Sequence, residues 1–343
     1  TGTLRAVVVT GKSSATKNGY TELVTQHIPA SDLAFYNEIS PEPMQQEAER
    51  LAEYLAEDQP GIVIALGGGS VIDVAKVACS AAASGTAIAD LMNRRVPPGP
   101  RRATLVAIPT TAGSGSELTP FAVLTNPATG LKQSLPSDVL YPDVAVMVPE
   151  FLTTVPRKIA SDTGMDALAH AFEALWSVHS NPVSDGLAYK AIREIDGHFL
   201  QYLHSPVDLG HATAMGMAAA LAGKAFSNTF TAGCHAMSYP IATRFSLSHG
   251  ASCAVTLDLV ARLNLRAVRQ KYEVVCGPLS LRSPEQVPEY IASLRASTGC
   301  IPAFTGLGAT PDDIGWIAEN AFVPLLANNP VKLDAAVIRD VLR

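Results

Sequence analysis

Two textures of sequence divide this chain, and one architecture does not accommodate both. Up to about residue 150, short apolar β-rich runs alternate with segments of helical period. In order they are LRAVVVTG, DLAFYNEI, MQQEAERLAEYLAED, GIVIALGGGS, VIDVAKVACSAAAS, RATLVAIPTTAGSGSE and DVAVMVP. Apolar strands separated by helices predict a mostly parallel sheet covered on both faces. Beyond that point the strand signals fade. KIASDTGMDALAHAFEALWSV, VSDGLAYKAIREIDGHFLQYL, ATAMGMAAALAGKAF and PEQVPEYIASLRAS all read as helices. The expected fold class is therefore an α/β domain on a parallel sheet, residues 1–150, followed by an all-α domain, residues 151–343, with the boundary in PEFLTTVP (149–156). A chain of 343 residues, 48% hydrophobic, is long enough for two cores.

Charge narrows the function classes. Only 16% of residues are charged and the net charge is -6 at pH 7. A nucleic-acid partner would need a basic patch, so none is expected. The same balance argues against docking on an anionic membrane, and no apolar run reaches bilayer length. The opening TGTLRAVVVTGKSS reads as the start of a buried strand and not as a signal peptide. Cysteines 79, 234, 253, 276 and 300 are odd in number and include no CxxC pair. A disulfide framework is not expected, and a reducing, cytoplasmic setting is. Cys234, beside His235, reads as a small buried thiol before it reads as a soft ligand.

Two loops follow apolar strands. In ALGGGSVIDVAK the strand runs to Leu66, Gly67, Gly68 and Gly69 follow, and Ser70 is expected to cap a helix starting near Val71. Glycines let a pyrophosphate approach the backbone, and the free N–H groups of a helix start hold the anion. A tight turn is the plainer alternative, since the GxGxxG pattern is absent. Asp73 and Lys76 are expected either as ligand contacts or as a surface ion pair. The second loop, IPTTAGSGSE, offers the hydroxyls of Thr110, Thr111, Ser114 and Ser116. Two such loops at strand ends favour a nucleotide crevice.

Asp166 and His170 in TGMDALAHAFE stand i, i+4, on one helix face about one turn apart. The segment is apolar on most sides, and a buried aspartate needs a strong partner such as a divalent cation. HAMSYPIATRFSLSH adds His235 and His249. Alone, each is more often an ordinary histidine. With Asp166 and His170 they make one carboxylate plus three imidazoles, a set that suits Fe(II) or Zn(II) over Mg(II) or Ca(II). Histidines 27, 179, 198, 204 and 211 read as surface or loop residues.

GGGSVIDVAK, IPTTAGSGSELTPFAVLTN, TGMDALAHAFEA and HAMSYP with SHG together resemble the iron-dependent, group III alcohol dehydrogenases over nearly the whole chain. That resemblance implies a Rossmann-like N-terminal domain binding NADPH or NADH and a helical domain holding Fe(II), or Zn(II), in the architecture shared with dehydroquinate synthase. It implies metal ligands at Asp166, His170, His235 and His249. Cofactor contacts are implied at Gly68, Gly69, Ser70, Asp73, Thr110, Thr111, Ser114, Val123 and Lys132. Dimers are common in the family.

Two departures stand out. Tyr239 occupies the position of the family's second HxxxH histidine, which leaves proton movement to Tyr239 or a water chain. Asn37 replaces the acidic residue usual after the second strand and would not repel a 2′-phosphate, so NADPH is allowed; neighbouring Glu38 keeps NADH open.

WSVHS (176–180) with HAMSYPIATRF is similar to a phosphonoacetaldehyde reductase branch, although SHGAS stands where that branch has PHGHA. The expected reaction is metal-assisted reduction of a small aldehyde, phosphonoacetaldehyde first among candidates, in phosphonate antibiotic biosynthesis. Arg244 and Lys132 are the cations for a phosphonate. Three rivals are weighed: a general alcohol dehydrogenase of this type, a dehydroquinate-synthase-like lyase, and a non-catalytic binding protein.

Overall fold

The computed structural model describes residues 5–343; Thr1–Leu4, with the first residue of the expected LRAVVVTG strand, lie outside the described residues. The chain forms two compact units. One comprises Thr1–Thr111 and Ser116–Thr154, the other Ala112–Gly115 and Val155–Arg343.

The first unit carries strands β1 (Ala6–Gly11), β2 (Leu33–Ile39), β3 (Ile62–Gly67), β4 (Thr104–Pro109), β5 (Phe121–Thr125), β6 (Lys132–Pro136) and β7 (Val144–Ala145). Five of them form one sheet, ordered β2-β1-β3-β4-β7, and every pairing in it is parallel. Strand alternation sends consecutive residues to opposite faces. Val7, Val9, Val63 and Ala65 join one core with helices α1 (Gln45–Asp58) and α2 (Gly69–Ser84); Val8, Ile64 and Leu66 join another with Tyr20 and Phe151. Both faces are covered, which is why these strands read as unbroken apolar runs.

Two details differ from expectation. DVAVMVP yields only the two-residue strand β7. It lies at the sheet edge with β4 as its one neighbour, and Val144 and Val146 are exposed, so there is little burial to extend it. FAVLTNPATGLKQSLP, not expected as strands, forms the antiparallel β5–β6 hairpin. Its turn is built by Asn126, whose side chain accepts from Ala128 N–H at 2.9 Å, and by Gly130 at φ +67°.

The second unit is helical, with α3 (Arg157–Trp176), α4 (Pro182–His204), α5 (Leu209–Thr229), α6 (Gly233–Phe245), α7 (His249–Asn264), α8 (Val287–Thr298) and α9 (Pro311–Asn320) among its helices. α3 is buried at every residue from Gly164 to Trp176. Its small residues let neighbours approach: a Cβ at Gly164 would meet the ring of Phe199. α4 starts on a capping box, in which Asn181 Oδ1 accepts from Val183 N–H (3.0 Å) and Ser184 N–H (3.1 Å), with Pro182 in the first turn. Pro240 interrupts α6. Lacking an N–H, it frees the Ala236 carbonyl four residues back, and Phe322 N–H takes that carbonyl at 3.0 Å. Among the described residues no helix is long and apolar enough to cross a membrane.

Candidate active site

Three helices of the second unit converge on one buried point. α3 brings Asp166 and His170, α6 brings His235, and α7 begins at His249. His170 Nε2 and His235 Nε2 are 2.9 Å apart; Asp166 Oδ1 lies 3.6 Å from His235 Nε2 and 3.9 Å from His249 Nε2; Asp166 Oδ2 lies 4.0 Å from His170 Nδ1. The Asp166, His170 and His235 side chains are about as buried as the core, while the side chain of His249 is 27% exposed and marks the open side.

Glycine explains how α7 comes so close to α3. A Cβ on Gly250 would collide with the carbonyl oxygen of Asp162 and stand 3.0 Å from Asp166 Cβ. Ser248 Oγ donates to Asp162 Oδ2 at 2.5 Å, tying the start of α7 to α3. Where a bulkier residue would hold the helices apart, Gly250 lets His249 reach Asp166.

His235 is oriented by a residue that spacing did not single out. Glu173, one turn beyond His170 on α3 and fully buried, bonds His235 Nδ1. It also accepts from the backbone N–H groups of Cys234 (2.6 Å) and His235 (3.3 Å) at the start of α6. Burial pushes the Glu173 carboxyl up, but the His235 side chain and backbone donors outweigh it and hold it below its ordinary value. Burial likewise opposes charge on His235, yet Cys253, Glu173 and Asp166 raise its pKa well above the imidazole range. Burial lowers His170 to about 4. Burial also opposes the Asp166 carboxylate, but the three imidazoles hold it ionised, well below its usual range.

These residues fit a divalent cation. Asp166 Oδ1 is buried with no hydrogen-bond partner, and the two Nε2 atoms face each other across hydrogen-bond distance. The Glu173 carboxylate on Nδ1 fixes the tautomer that frees Nε2 for a metal. The donor atoms that all lie within 4.8 Å of one another belong to Asp166, His235, His249 and Cys253. His170 stands outside that mutual group, approaching from the His235 side. In the sequence Cys253 is one of five thiols, marked only by its i, i+4 spacing from His249.

In the first unit, α2 begins at Gly69 with Gly68 as its N-cap and no side chain capping it. Ser70 therefore lies inside the first turn and is not the cap that the sequence suggested. Val71 and Ile72 N–H donate to Gly68 O, and the Gly69 and Ser70 N–H groups at the start of this 16-residue helix could hold an anion such as a pyrophosphate. Thr110 N–H donates to Gly67 O at 3.0 Å, and a Cβ on Gly68 would lie 3.2 Å from Thr111 Oγ1, so the two loops meet. Ser114 falls in the turn 112–115, which packs with the helical unit: a Cβ on Gly115 would lie 2.6 Å from Gly223 Cα.

Asp73 and Lys76 are not a surface pair. Lys76 is completely buried and donates to Ser116 Oγ (2.8 Å), Thr119 O (3.0 Å) and Phe121 O (2.7 Å). Asp73 accepts from Ser116 Oγ (2.5 Å) and Val123 N–H (2.8 Å). Together they fasten the segment 116–123 to α2, and both Asp73 oxygens and the Val123 N–H are engaged in that task.

A family model for iron-containing alcohol dehydrogenases matches residues 1–149, and the C-terminal model of the same family matches residues 160–343. This chain belongs to the iron-containing alcohol dehydrogenase family. It is an NAD(P)-dependent alcohol dehydrogenase. It is 31% identical over 322 residues to long-chain-alcohol dehydrogenase 1 of Geobacillus thermodenitrificans, covering 89% of this chain and 80% of that one. It is 32% identical over 306 residues to phosphonoacetaldehyde reductase of Streptomyces viridochromogenes, covering 83% and 76%. The crystal structure of sulfoacetaldehyde reductase from Bifidobacterium kashiwanohense with NAD+ superposes with a TM-score of 0.91 at 28% identity, covering 99% of this chain and 90% of that one. The parallel-sheet unit and the helical unit are those of this family.

The remaining expected residues of this family member lie as follows. Tyr239 is buried on α6, its ring 6.3 Å from that of His249 and 5.7 Å from Phe322. Arg244, at the end of α6, is ion-paired with Asp313 of α9. Lys132 is ion-paired with Glu42. Asn37 is exposed on β2 and shares a surface groove with Thr10 and Phe35. His198 and His211, read as surface or loop residues, sit on α4 and α5 with their Nδ1 atoms 2.9 Å apart.

Proposed function

We propose that this enzyme reduces phosphonoacetaldehyde to 2-hydroxyethylphosphonate, with NADPH as the preferred donor and Fe(II) as the resident metal. The observation that carries the reading is a coincidence of two relatives. One is named for an acetaldehyde bearing a phosphonate, the other for an acetaldehyde bearing a sulfonate. Both groups are tetrahedral oxyanions on the carbon next to the aldehyde.

In this reading Asp166, His170, His235 and His249 hold the cation, and Gly68, Gly69, Ser70, Thr110, Thr111 and Ser114 hold the dinucleotide. When bound, the cation supplies Lewis acidity to a carbonyl oxygen and the dihydronicotinamide supplies the hydride. Glu173 keeps His235 in the tautomer that presents Nε2. The exposed edge of His249 gives the carbonyl its approach. Tyr239 carries an exchangeable proton at Oη for the developing alkoxide, in place of the histidine that the family pattern would put there. Asp73 and Lys76 act at one remove, by holding the 116–123 segment.

A second reading, reduction of an uncharged small aldehyde, draws on a different observation: both cations expected for a phosphonate, Lys132 and Arg244, are already in ion pairs. One panel separates the two. Phosphonoacetaldehyde, sulfoacetaldehyde, propanal and butanal are compared by kcat/KM with NADPH and NADH, following nicotinamide absorbance. Phosphonoacetaldehyde is expected to lead by at least about tenfold, 1.4 kcal/mol in transition-state binding. Equal rates for propanal would leave the uncharged-aldehyde reading in its place.

A further inference from the structure

Cys253 lies on α7 four residues after His249, so both side chains project from one face of that helix about one turn apart. Its sulfur is among the four donor atoms that lie within 4.8 Å of one another, with Asp166, His235 and His249. Bonds of about 2.1 Å to nitrogen and about 2.3 Å to sulfur, in a four- or five-coordinate site, space neighbouring donors about 3–3.5 Å apart. Two of the pairs in the cluster stand near that spacing, Asp166 Oδ1 at 3.6 Å from His235 Nε2 and 3.9 Å from His249 Nε2.

Protons alone leave this pocket poorly satisfied. His235 Nδ1 is committed to Glu173, so His235 has a single hydrogen at most to offer from Nε2. His170 Nε2 at 2.9 Å and Asp166 Oδ1 at 3.6 Å both face that one atom, and the Cys253 sulfur lies within 4.8 Å of a nitrogen of the same imidazole. Asp166 Oδ1 is left buried and without a hydrogen bond. A cation at the centre satisfies all of them together.

We propose that Cys253 is a ligand of this metal, so that the centre takes a thiolate in addition to its carboxylate and imidazoles. Binding transfers the thiol proton to solvent and forms one metal–sulfur bond. A soft donor tilts the site toward Zn(II) and Co(II), and away from Mn(II) and Mg(II), relative to a site of only oxygen and nitrogen. The inference rests on the metal centre and is independent of which aldehyde is reduced.

Cobalt reports on it directly. The full-length protein is stripped with chelator and loaded with one equivalent of Co(II), and its absorption is recorded for the wild type, Cys253→Ala and Cys234→Ala. The wild type and Cys234→Ala are expected to show an intense near-ultraviolet sulfur-to-cobalt charge-transfer band. Cys253→Ala is expected to lose that band while keeping the weaker visible bands of bound cobalt. X-ray absorption of the zinc-loaded wild type, which needs no variant to fold, is expected to require one sulfur in the first shell. Stoichiometric cobalt with no charge-transfer band, a band unchanged in Cys253→Ala, or a zinc shell of only nitrogen and oxygen would each overturn the proposal. Any of those results would place Cys253 as a thiol hydrogen-bonded to His235, with the reductase reading untouched.

Discussion

Glu173 and His235 are the joint between the fold and the chemistry. One buried carboxylate fastens the start of α6 through two backbone N–H groups and fixes the ring of His235 through Nδ1.

That relationship makes Glu173→Gln informative. Glutamine keeps an oxygen for the backbone donors but turns an N–H₂ toward Nδ1, which favours the tautomer carrying its proton on Nε2. Metal affinity, measured by competition with a chelator, is expected to fall about 10–100-fold with little loss of helicity. Unchanged affinity would mean that Glu173 serves α6 and not the metal.

Gly250 tests the close helix approach. Gly250→Ala puts a methyl group against the Asp162 carbonyl and Asp166 Cβ. The strain is expected to cost about 1–3 kcal/mol of stability, and the displacement of His249 should weaken metal binding as well. Denaturant midpoints with and without metal measure both. A variant as stable and as metal-avid as the wild type would show that α3 and α7 have room to spare.

Lys76 carries a pH signature. Burial lowers its pKa to about 8, against an ordinary value of 10.5. The unfolded chain therefore binds more protons than the folded one between those values, so stability from this group rises as pH rises from about 8 to 10.5. The full swing is on the order of 3 kcal/mol. In Lys76→Met that rise should vanish, and the variant should be less stable at pH 7 because Ser116, Thr119 and Phe121 lose their shared donor. Parallel midpoint-against-pH curves for the two proteins would contradict this.

We propose that Asn37 reads the cofactor's ribose. It is exposed on β2, beside the groove shared with Thr10 and Phe35. In Asn37→Asp the new carboxylate should repel a 2′-phosphate and lower kcat/KM for NADPH relative to NADH by about tenfold or more, a 1.4 kcal/mol preference. An unchanged ratio would place the discriminating contact elsewhere, with Glu38 the next residue to vary.

The sequence by itself determined the two textures and hence the two units. Unbroken apolar runs such as AVVV and IVIAL can only be buried on both faces, and Ala-rich segments at helical spacing can only pack as helices. It also exposed Asp166 with His170, since i, i+4 spacing is a local property. The β5–β6 hairpin was less legible because its strands are short and half-exposed. Tertiary structure decided what depends on distant segments. Asp73 and Lys76, charged and one turn apart, look like a surface pair until the chain at 116–123 folds over them. Glu173 meets His235 only because α6 begins where α3 has a buried carboxylate. Cys253 comes within 4.8 Å of donor atoms of Asp166 and His235 only because Gly250 lets two helices nearly touch. Local spacing fixes which side chains share a face; which faces meet is set by long-range packing, and short-range pattern carries no record of it.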